Sequence, residues 1–229
     1  MKKGVNVSLT VLYIIAVALL VLSFSIALPI VCRFFYYIQI DPLNLPEATG
    51  YDHGTIKKAY DEVLDFLMFG GEFKAGVFAF TKEGAAHFYD CKRLFMLDFI
   101  VLFFSFAVVV TLKILEKIKI IRLLTVGGHN PSFISAVSLV GVFLVVGVLV
   151  ALDFESAFVT FHHIFFPGKS NWIFDERYDE IIKILPAQFF LNCAILIFTA
   201  LTIFCAVIIF LSVRKRNRNL KKNLSAKDF

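Results

Sequence analysis

The sequence lacks the short motifs of the common hydrolases, metalloproteases and phosphate-binding enzymes. Its 229 residues contain no HExxH, no GxSxG and no phosphate-binding glycine loop, and its four cysteines include no CxxC pair. Charged residues are almost absent from its long apolar runs, whereas ion and proton pathways through a membrane require them. These absences argue against a pump, a metalloprotease and a serine hydrolase, and they indicate no metal site.

The composition of the chain is far too apolar for a soluble domain. Hydrophobic residues make up 59% of the sequence, which includes 28 Phe, and the mean hydropathy is +0.81. Soluble domains usually contain about 45–50% apolar residues. The chain is therefore expected in a lipid bilayer.

Four runs are long enough to cross about 30 Å of hydrocarbon as helices, which takes roughly 20 residues. They predict transmembrane helices at 8–32, 94–113, 133–153 and 188–213. The first run greatly exceeds the apolar region of a cleaved signal peptide, so a retained anchor is expected. The expected fold class is an all-α membrane protein, a four-transmembrane-helix bundle that forms a single integral membrane domain over 1–229.

The distribution of Lys and Arg predicts the orientation of the chain. The N-terminus, the 114–132 loop with Lys113, and the tail 214–229 carry 13 basic and 2 acidic residues, whereas the remainder carries 10 basic and 16 acidic. Positive flanks stay in the cytoplasm, so both termini are expected there. The segments 33–93 and 154–187 then form a small extracytoplasmic cap. The basic tail suits anionic membrane lipids as partners rather than nucleic acid.

One segment of the first outer loop has helical periodicity. Between Thr55 and Phe69, apolar residues recur with charged residues on the other faces. The apolar positions are Ile56, Tyr60, Val63, Leu64 and Leu67. This pattern predicts an amphipathic helix that lies on the membrane or on the helix bundle.

A first cluster of titratable residues precedes the second span. Thr81 suits an N-cap position, and a helix from there places Glu83, His87 and Asp90 at i, i+4 and i+7 on one face. Flanking carboxylates can set the tautomer and basicity of a histidine. The alternative is an ordinary polar helix end in which Lys92 and its neighbours anchor the chain at the interface.

A second cluster follows the third span. A helical stripe of Phe residues continues beyond that span, and Pro167-Gly168 is expected to end the helix. His162 and His163 point about 100° apart on such a helix, so only one of them can face a small site. Trp172 suits an aromatic interface belt, and anchoring alone would explain it.

These two clusters, read together, carry a resemblance to a known family. The patterns are Glu83-x-x-x-His87-x-x-Asp90-x-Lys92, Phe161-His162-x-Ile-Phe-Phe, Trp172-Ile-Phe174-Asp175 and Asp179-x-Ile-Ile-x-Ile-Leu-Pro186. They resemble the bacterial lipoprotein intramolecular transacylase family over most of the chain, including the four-span topology. Cys91 within the Asp-x-Lys block, and Ala187 and Gln188 after Pro186, depart from the family's pattern.

The resemblance implies a cofactor-independent acyltransferase in the cell membrane of a Gram-positive bacterium. Its substrate would be a diacylated lipoprotein, whose sn-2 acyl chain moves from the S-diacylglyceryl group to the α-amino group of the N-terminal cysteine, giving the lyso form. The resemblance implies His87 and His162 as catalytic residues, with His163 as the alternative to His162. Residues proposed to orient or bind the substrate are Glu83, Tyr89, Asp90, Lys92, Trp172 and Asp175.

Two histidines at the membrane boundary suit this chemistry. The attacking amine must lose a proton, and the departing glyceryl oxygen must gain one, which two imidazoles can divide between them. One alternative is a non-catalytic membrane receptor or assembly factor that binds a protein through its outer cap. Acyl transfer between separate lipids is a second alternative, and it would require added phospholipid.

Overall fold

The computed structural model describes residues 3–225, with side chains over 4–220, and shows helices joined by short connections. The last part of the predicted basic tail, 226–229, and Lys2 lie outside the described residues. The described residues contain one isolated β-bridge, between Val126 and His129. The helices are α1 (Lys3–Val31), α2 (Arg33–Tyr37), α3 (Leu45–Thr49), α4 (His53–Phe69), α5 (Lys82–Lys117), α6 (Pro131–Leu152), α7 (Phe154–Phe165), a 3₁₀ helix (Glu180–Ile184) and α8 (Ala187–Ser225).

Four of these helices are long and apolar enough to cross a membrane. They contain the spans Gly4–Val31, Lys82–Lys117, Pro131–Leu152 and Ala187–Leu220. This confirms the all-α class and the four predicted spans. Helix α5 begins twelve residues ahead of the predicted span at 94–113, because the helix that starts in the segment after α4 continues without a break into the apolar run.

The described chain divides into two compact units. The first comprises 1–25, 100–147 and 198–229. Its buried side chains form two small clusters, centred on Tyr13 and Leu201. Helix-to-helix hydrogen bonds support the packing: the Tyr13 hydroxyl lies 3.0 Å from Ser132 Oγ, and Ser135 Oγ donates to the Ile14 carbonyl at 2.9 Å. Such bonds matter in lipid, where association between helices gains little from the hydrophobic effect.

The second unit comprises 26–99 and 148–197, and it contains both segments that the sequence predicts to lie outside the membrane. Its core is the largest in the chain. Helix α4 supplies much of it, through Ile56, Ala59, Tyr60, Val63, Leu64, Phe66 and Leu67. These residues pack with Ile30 of α1, the 3₁₀ helix and Phe189 of α8. The predicted amphipathic helix is confirmed, and its apolar face lies against the ends of the long helices.

Polar contacts fix α4 in this unit. The Asp52 carboxylate caps the helix by accepting a hydrogen bond from the Thr55 amide at 2.8 Å. Arg33, at the start of α2, forms ion pairs with Asp61 and Asp65 on the exposed side of α4. On the buried side, the Tyr36 hydroxyl donates to the Ile184 carbonyl at 2.8 Å. The segments that connect the spans therefore share an ordered hydrophobic core with the ends of those spans.

Candidate active site

Helix α5 carries the first histidine, and its start is fixed by Thr81. The Thr81 hydroxyl accepts a hydrogen bond from the Gly84 amide at 2.9 Å, which confirms the predicted N-cap. His87 lies one turn further along and is only 6% exposed. Glu83, by contrast, is exposed to solvent. The helix that the i, i+4, i+7 pattern predicts is present, but Glu83 on that stripe is exposed, whereas His87 is buried.

Asp179, in the segment between α7 and the 3₁₀ helix, holds this helix start in place. Its carboxylate is buried and accepts hydrogen bonds from both the Thr81 amide, at 2.7 Å, and the Thr81 hydroxyl, at 2.9 Å. Gly84 makes the approach possible, since a β-carbon there would collide with the Asp179 carboxylate and lie 3.0 Å from the Phe174 ring. These contacts therefore bind the first turn of α5 to the segment before the 3₁₀ helix.

Helix α7 carries the second histidine. The Asp153 carboxylate caps it by accepting from the Ser156 amide at 3.0 Å, and the helix ends at Phe165, just before Pro167-Gly168 as predicted. His162 is 6% exposed, whereas His163 is exposed to solvent. The expectation that only one of the two adjacent histidines faces a site is confirmed, and that histidine is His162.

The two buried histidines face each other. Their ring centroids are 5.6 Å apart, and the ring planes are inclined by 34°. Aromatic rings surround the pair: Phe166 lies 4.9 Å and Phe174 5.6 Å from His87, and Trp172 stacks on His162 at 4.6 Å. The histidine pair, meaning His87 with His162, therefore sits in a mostly aromatic enclosure that excludes much of the solvent.

The hydrogen bond of His162 defines its tautomer. Nδ1 lies 2.7 Å from the Phe158 carbonyl oxygen, which can only accept, so Nδ1 carries the hydrogen. The lone pair of a neutral His162 is then on Nε2, which makes no hydrogen bond within the described residues. Burial lowers the pKa of His162 below its ordinary value of 6.5, the bond to Phe158 opposes this, and nearby His163 lowers it further. At neutral pH, His162 is therefore available as a base.

His87 has a different set of partners. Its Nε2 lies 3.3 Å from the Cys91 sulfur, one turn along α5. Its Nδ1 is buried and has no hydrogen-bond partner in the part of the chain that the structure describes. Neither Glu83 nor Asp90 is hydrogen bonded to His87, so neither carboxylate sets its tautomer through a direct bond. Burial and, to a lesser extent, His162 lower the pKa of His87 to about 4, and the charge of Asp90 opposes this, so Asp90 does act on its basicity. An unpaired buried nitrogen is costly in a folded protein, and at such a position a reacting group can supply the missing partner.

Asp90 instead joins α5 to the loop that follows α7. Its carboxylate is ion-paired with Lys169 and accepts a hydrogen bond from Asn171 Nδ2 at 3.1 Å. Asp90 lies one turn after His87, and Asn171 directly precedes Trp172, which stacks on His162. This contact holds the two histidine-bearing elements together.

The remaining predicted residues lie outside the enclosure. Tyr89 packs edge to face on Phe66 at 4.7 Å, and the Lys92 ammonium lies 5.1 Å from the same ring, so both contact α4. Asp175 is bound by the Arg177 guanidinium, whose hydrogen bonds hold the pKa of Asp175 at about 2. None of the three forms a hydrogen bond with either histidine. Of the predicted orienting residues, only Asp90 and Trp172 are brought to the pair.

Several residues of the site carried little signal in the sequence. Lys169 and Asn171 bind Asp90 although they follow it by 79 and 81 residues in the sequence. Asp179 likewise binds Thr81, which precedes it by 98 residues. Asp179 belongs to the family pattern, which was the available signal for it. Phe166 and Phe174 could not be distinguished from the many other Phe residues of this chain.

Four membrane-spanning helices and a buried, solvent-shielded histidine pair define the class as a multi-pass membrane protein with a site suited to acid–base chemistry. No group of three metal-ligating side chains occurs among the described residues.

Comparison with known proteins identifies the family. The model of the lipoprotein intramolecular transacylase Lit family matches residues 11–190, and the chain belongs to that family. It is therefore a membrane-bound acyltransferase that acts on lipoproteins. No curated protein matches the sequence significantly.

Solved structures show the same fold. The in meso structure of the membrane integral lipoprotein intramolecular transacylase from Bacillus cereus has 24% sequence identity and a TM-score of 0.82, with 95% of this chain and 100% of that chain covered. Two variants of that protein, with a histidine changed to arginine or to alanine, each show 22% identity and a TM-score of 0.75. The match covers 94% of this chain in both cases, and 95% and 96% of the variant chains.

Proposed function

We propose that His87 and His162 together catalyse the intramolecular acyl transfer. The substrate is a lipoprotein whose N-terminal cysteine carries an S-linked diacylglyceryl group and a free α-amino group. The acyl chain moves from the sn-2 oxygen to that amino group. The observation that carries the assignment is the facing pair of buried imidazoles, in which His87 Nδ1 has no partner and the lone pair of His162 Nε2 is free.

The reaction balances without a cofactor or an external acyl donor. The α-amino nitrogen forms a bond to the ester carbonyl carbon, and the bond between that carbon and the glyceryl oxygen breaks. One imidazole accepts the proton that the nitrogen loses, this proton passes within the histidine pair, and the other imidazole delivers it to the glyceryl oxygen as the carbon–oxygen bond breaks. Both imidazoles are then neutral again, as they were at the start.

The enclosure favours transfer within one molecule over hydrolysis. Amine and ester belong to the same modified cysteine, so their proximity comes from the substrate. The rings of Phe166, Phe174 and Trp172 surround the pair and limit the access of water, which would otherwise compete with the amine for the ester. A covalent enzyme intermediate is not needed.

We place the histidine pair at the extracytoplasmic face, with both termini in the cytoplasm. The charge distribution supports this orientation, since the segments 33–98 and 153–187 carry most of the acidic residues. The acyl chains of the substrate can then remain among membrane lipids, while the cysteine amine and the ester reach the histidines near the ends of the spans.

Mass spectrometry of a lipoprotein N-terminal peptide tests the proposal. Cells that express the wild-type chain, His87→Ala, His162→Ala or His163→Ala would be compared in a host without such an enzyme. We expect N-acyl S-monoacylglyceryl cysteine with the wild type and with His163→Ala, and a loss of at least about 100-fold with the other two variants. Unchanged product in His87→Ala or His162→Ala would reject the catalytic assignment. A non-catalytic receptor would yield no lyso form in any strain.

A further inference from the structure

The side-chain amide of Asn171 contains a second buried polar atom without a partner. Its Nδ2 donates to the Asp90 carboxylate at 3.1 Å, while its Oδ1 is buried and makes no hydrogen bond. The orientation of the amide is fixed by chemistry, since a carboxylate only accepts and the atom that faces Asp90 must therefore be the NH₂ group. The unpaired atom is thus a hydrogen-bond acceptor.

Asn171 is connected to both elements that carry the histidines. Asp90, to which the amide is bound, lies one helical turn after His87, and Trp172, the next residue in the chain, stacks on His162. Among the described residues, two buried side-chain atoms near these contacts have no hydrogen-bond partner: His87 Nδ1 and Asn171 Oδ1. His87 Nδ1 can bind one of the reacting groups. Asn171 Oδ1, as an acceptor, can bind a ligand atom that donates a hydrogen.

We propose that Asn171 Oδ1 binds the α-amino group of the lipid-modified cysteine by accepting one of its N–H bonds. This inference rests on the proposed function, because it names the atom that holds the nucleophile. The amine is the only donor of the reacting part of the substrate, since the ester and thioether atoms only accept. The contact would direct the amine and its lone pair toward the ester.

The charges around Asn171 suit an amine in its neutral, reactive form. The negative charge of Asp90 is already balanced by Lys169, so the site presents a neutral amide oxygen rather than an unpaired carboxylate. An α-amino group has an ordinary pKa of about 7.7–8.0, close to neutrality. An uncharged acceptor favours the ammonium form, which has no lone pair for attack, less strongly than an unpaired carboxylate would.

Binding of unreactive analogues tests the proposal. Two lipopeptides with ether-linked alkyl chains, which cannot transfer an acyl group, would carry either a free α-amine or an N,N-dimethyl amine, which has no N–H in its neutral form. Dissociation constants would be measured at pH 9 with the purified full chain in lipid nanodiscs. Asn171→Leu removes the acceptor at similar volume, and Ser170→Ala is the matched control at the exposed neighbouring position.

The wild type and Ser170→Ala should bind the free amine about tenfold more tightly than the dimethyl amine, and Asn171→Leu should lose this preference. The dimethyl analogue also serves as a control for structural damage, because a disturbed loop would weaken the binding of both compounds. The inference would be overturned if Asn171→Leu preferred the free amine over the dimethyl amine as strongly as the wild type does. It would also be overturned if the wild type showed no such preference. The proposed function is judged separately, by whether the histidine variants form lyso product from the ester substrate.

Discussion

Trp172 lies on the ring of His162, with centroids 4.6 Å apart and planes inclined by 29°. Trp172 is also the one tryptophan in the chain. Its indole NH donates to the Lys169 carbonyl at 3.0 Å, which fixes the orientation of the ring. Intrinsic fluorescence therefore reports directly on one histidine of the pair.

Protonation of His162 should quench this fluorescence, because an imidazolium stacked on an indole is a stronger quencher than a neutral imidazole. Burial lowers the pKa of His162, so the ring is neutral at pH 7 and gains its proton only as the pH falls below 6.5. His163 also lies 5.6 Å from Trp172, so the titration is carried out in His163→Ala, where a single quenching transition with its midpoint below 6.5 is expected. Persistence of that transition when His162→Gln is added to His163→Ala would contradict the assignment.

The contact of Asp90 with Lys169 should behave as one coupled element. Asp90→Ala and Lys169→Ala should each lower kcat/KM for a diacylated lipopeptide by about fivefold, because either change releases the loop that carries Trp172. The double variant should be no slower than the slower single variant, which corresponds to a coupling energy of about 1 kcal/mol. Lys74→Ala, at an exposed pair with Glu72, serves as the control. Independent, multiplicative effects would show that the pair does not position the site.

Gly84 and Gly141 should respond in opposite ways to alanine. At Gly84, the added methyl group would meet the Asp179 carboxylate and the Phe174 ring, and such overpacking costs about 1–3 kcal/mol. At Gly141, nothing lies within 4 Å of the added carbon, and alanine is the better helix former. Thermal unfolding in detergent should show a lower Tm for Gly84→Ala and an unchanged or higher Tm for Gly141→Ala. Equal Tm values for the two variants would contradict the close approach of Asp179.

Cys91 should not act as an acyl carrier. Its sulfur lies 3.3 Å from His87 Nε2, an arrangement that could be mistaken for a cysteine–histidine nucleophile. Direct attack by the substrate amine needs no such group, so Cys91→Ser should retain activity within about tenfold of the wild type. Single-turnover assays would measure the rate, and intact-protein mass spectrometry would detect an acylated chain. Abolished turnover together with a thioester on the wild type would reject direct transfer.

The sequence was sufficient for those features that depend on local patterns. The apolar runs predicted the four spans, the 3.6-residue period predicted α4, and the 100° step between neighbouring helical positions predicted that only one of His162 and His163 faces the site. The Thr81 cap was also predictable, since a hydroxyl residue that precedes a helix has a direct physical role. In each case the relevant residues lie within a few turns of one another.

The contacts that build the site depend on residues far apart in the chain. Glu83 and Asp90 share a helical stripe with His87, yet Glu83 is exposed and Asp90 is bound by Lys169 and Asn171, which belong to another segment. Helical spacing determines which residues share a face, but not which segment covers that face. The roles of Asp179 and Asn171 therefore became visible only in the folded chain.

The carbonyl that fixes the tautomer of His162 belongs to Phe158, four residues earlier in the same helix. The partner of this imidazole therefore moves with it as a rigid body. If α7 shifts to admit the two acyl chains of a bulky substrate, the imidazole keeps both its hydrogen and its free lone pair. A histidine oriented by a group on a different element would lose its proton placement during such a movement.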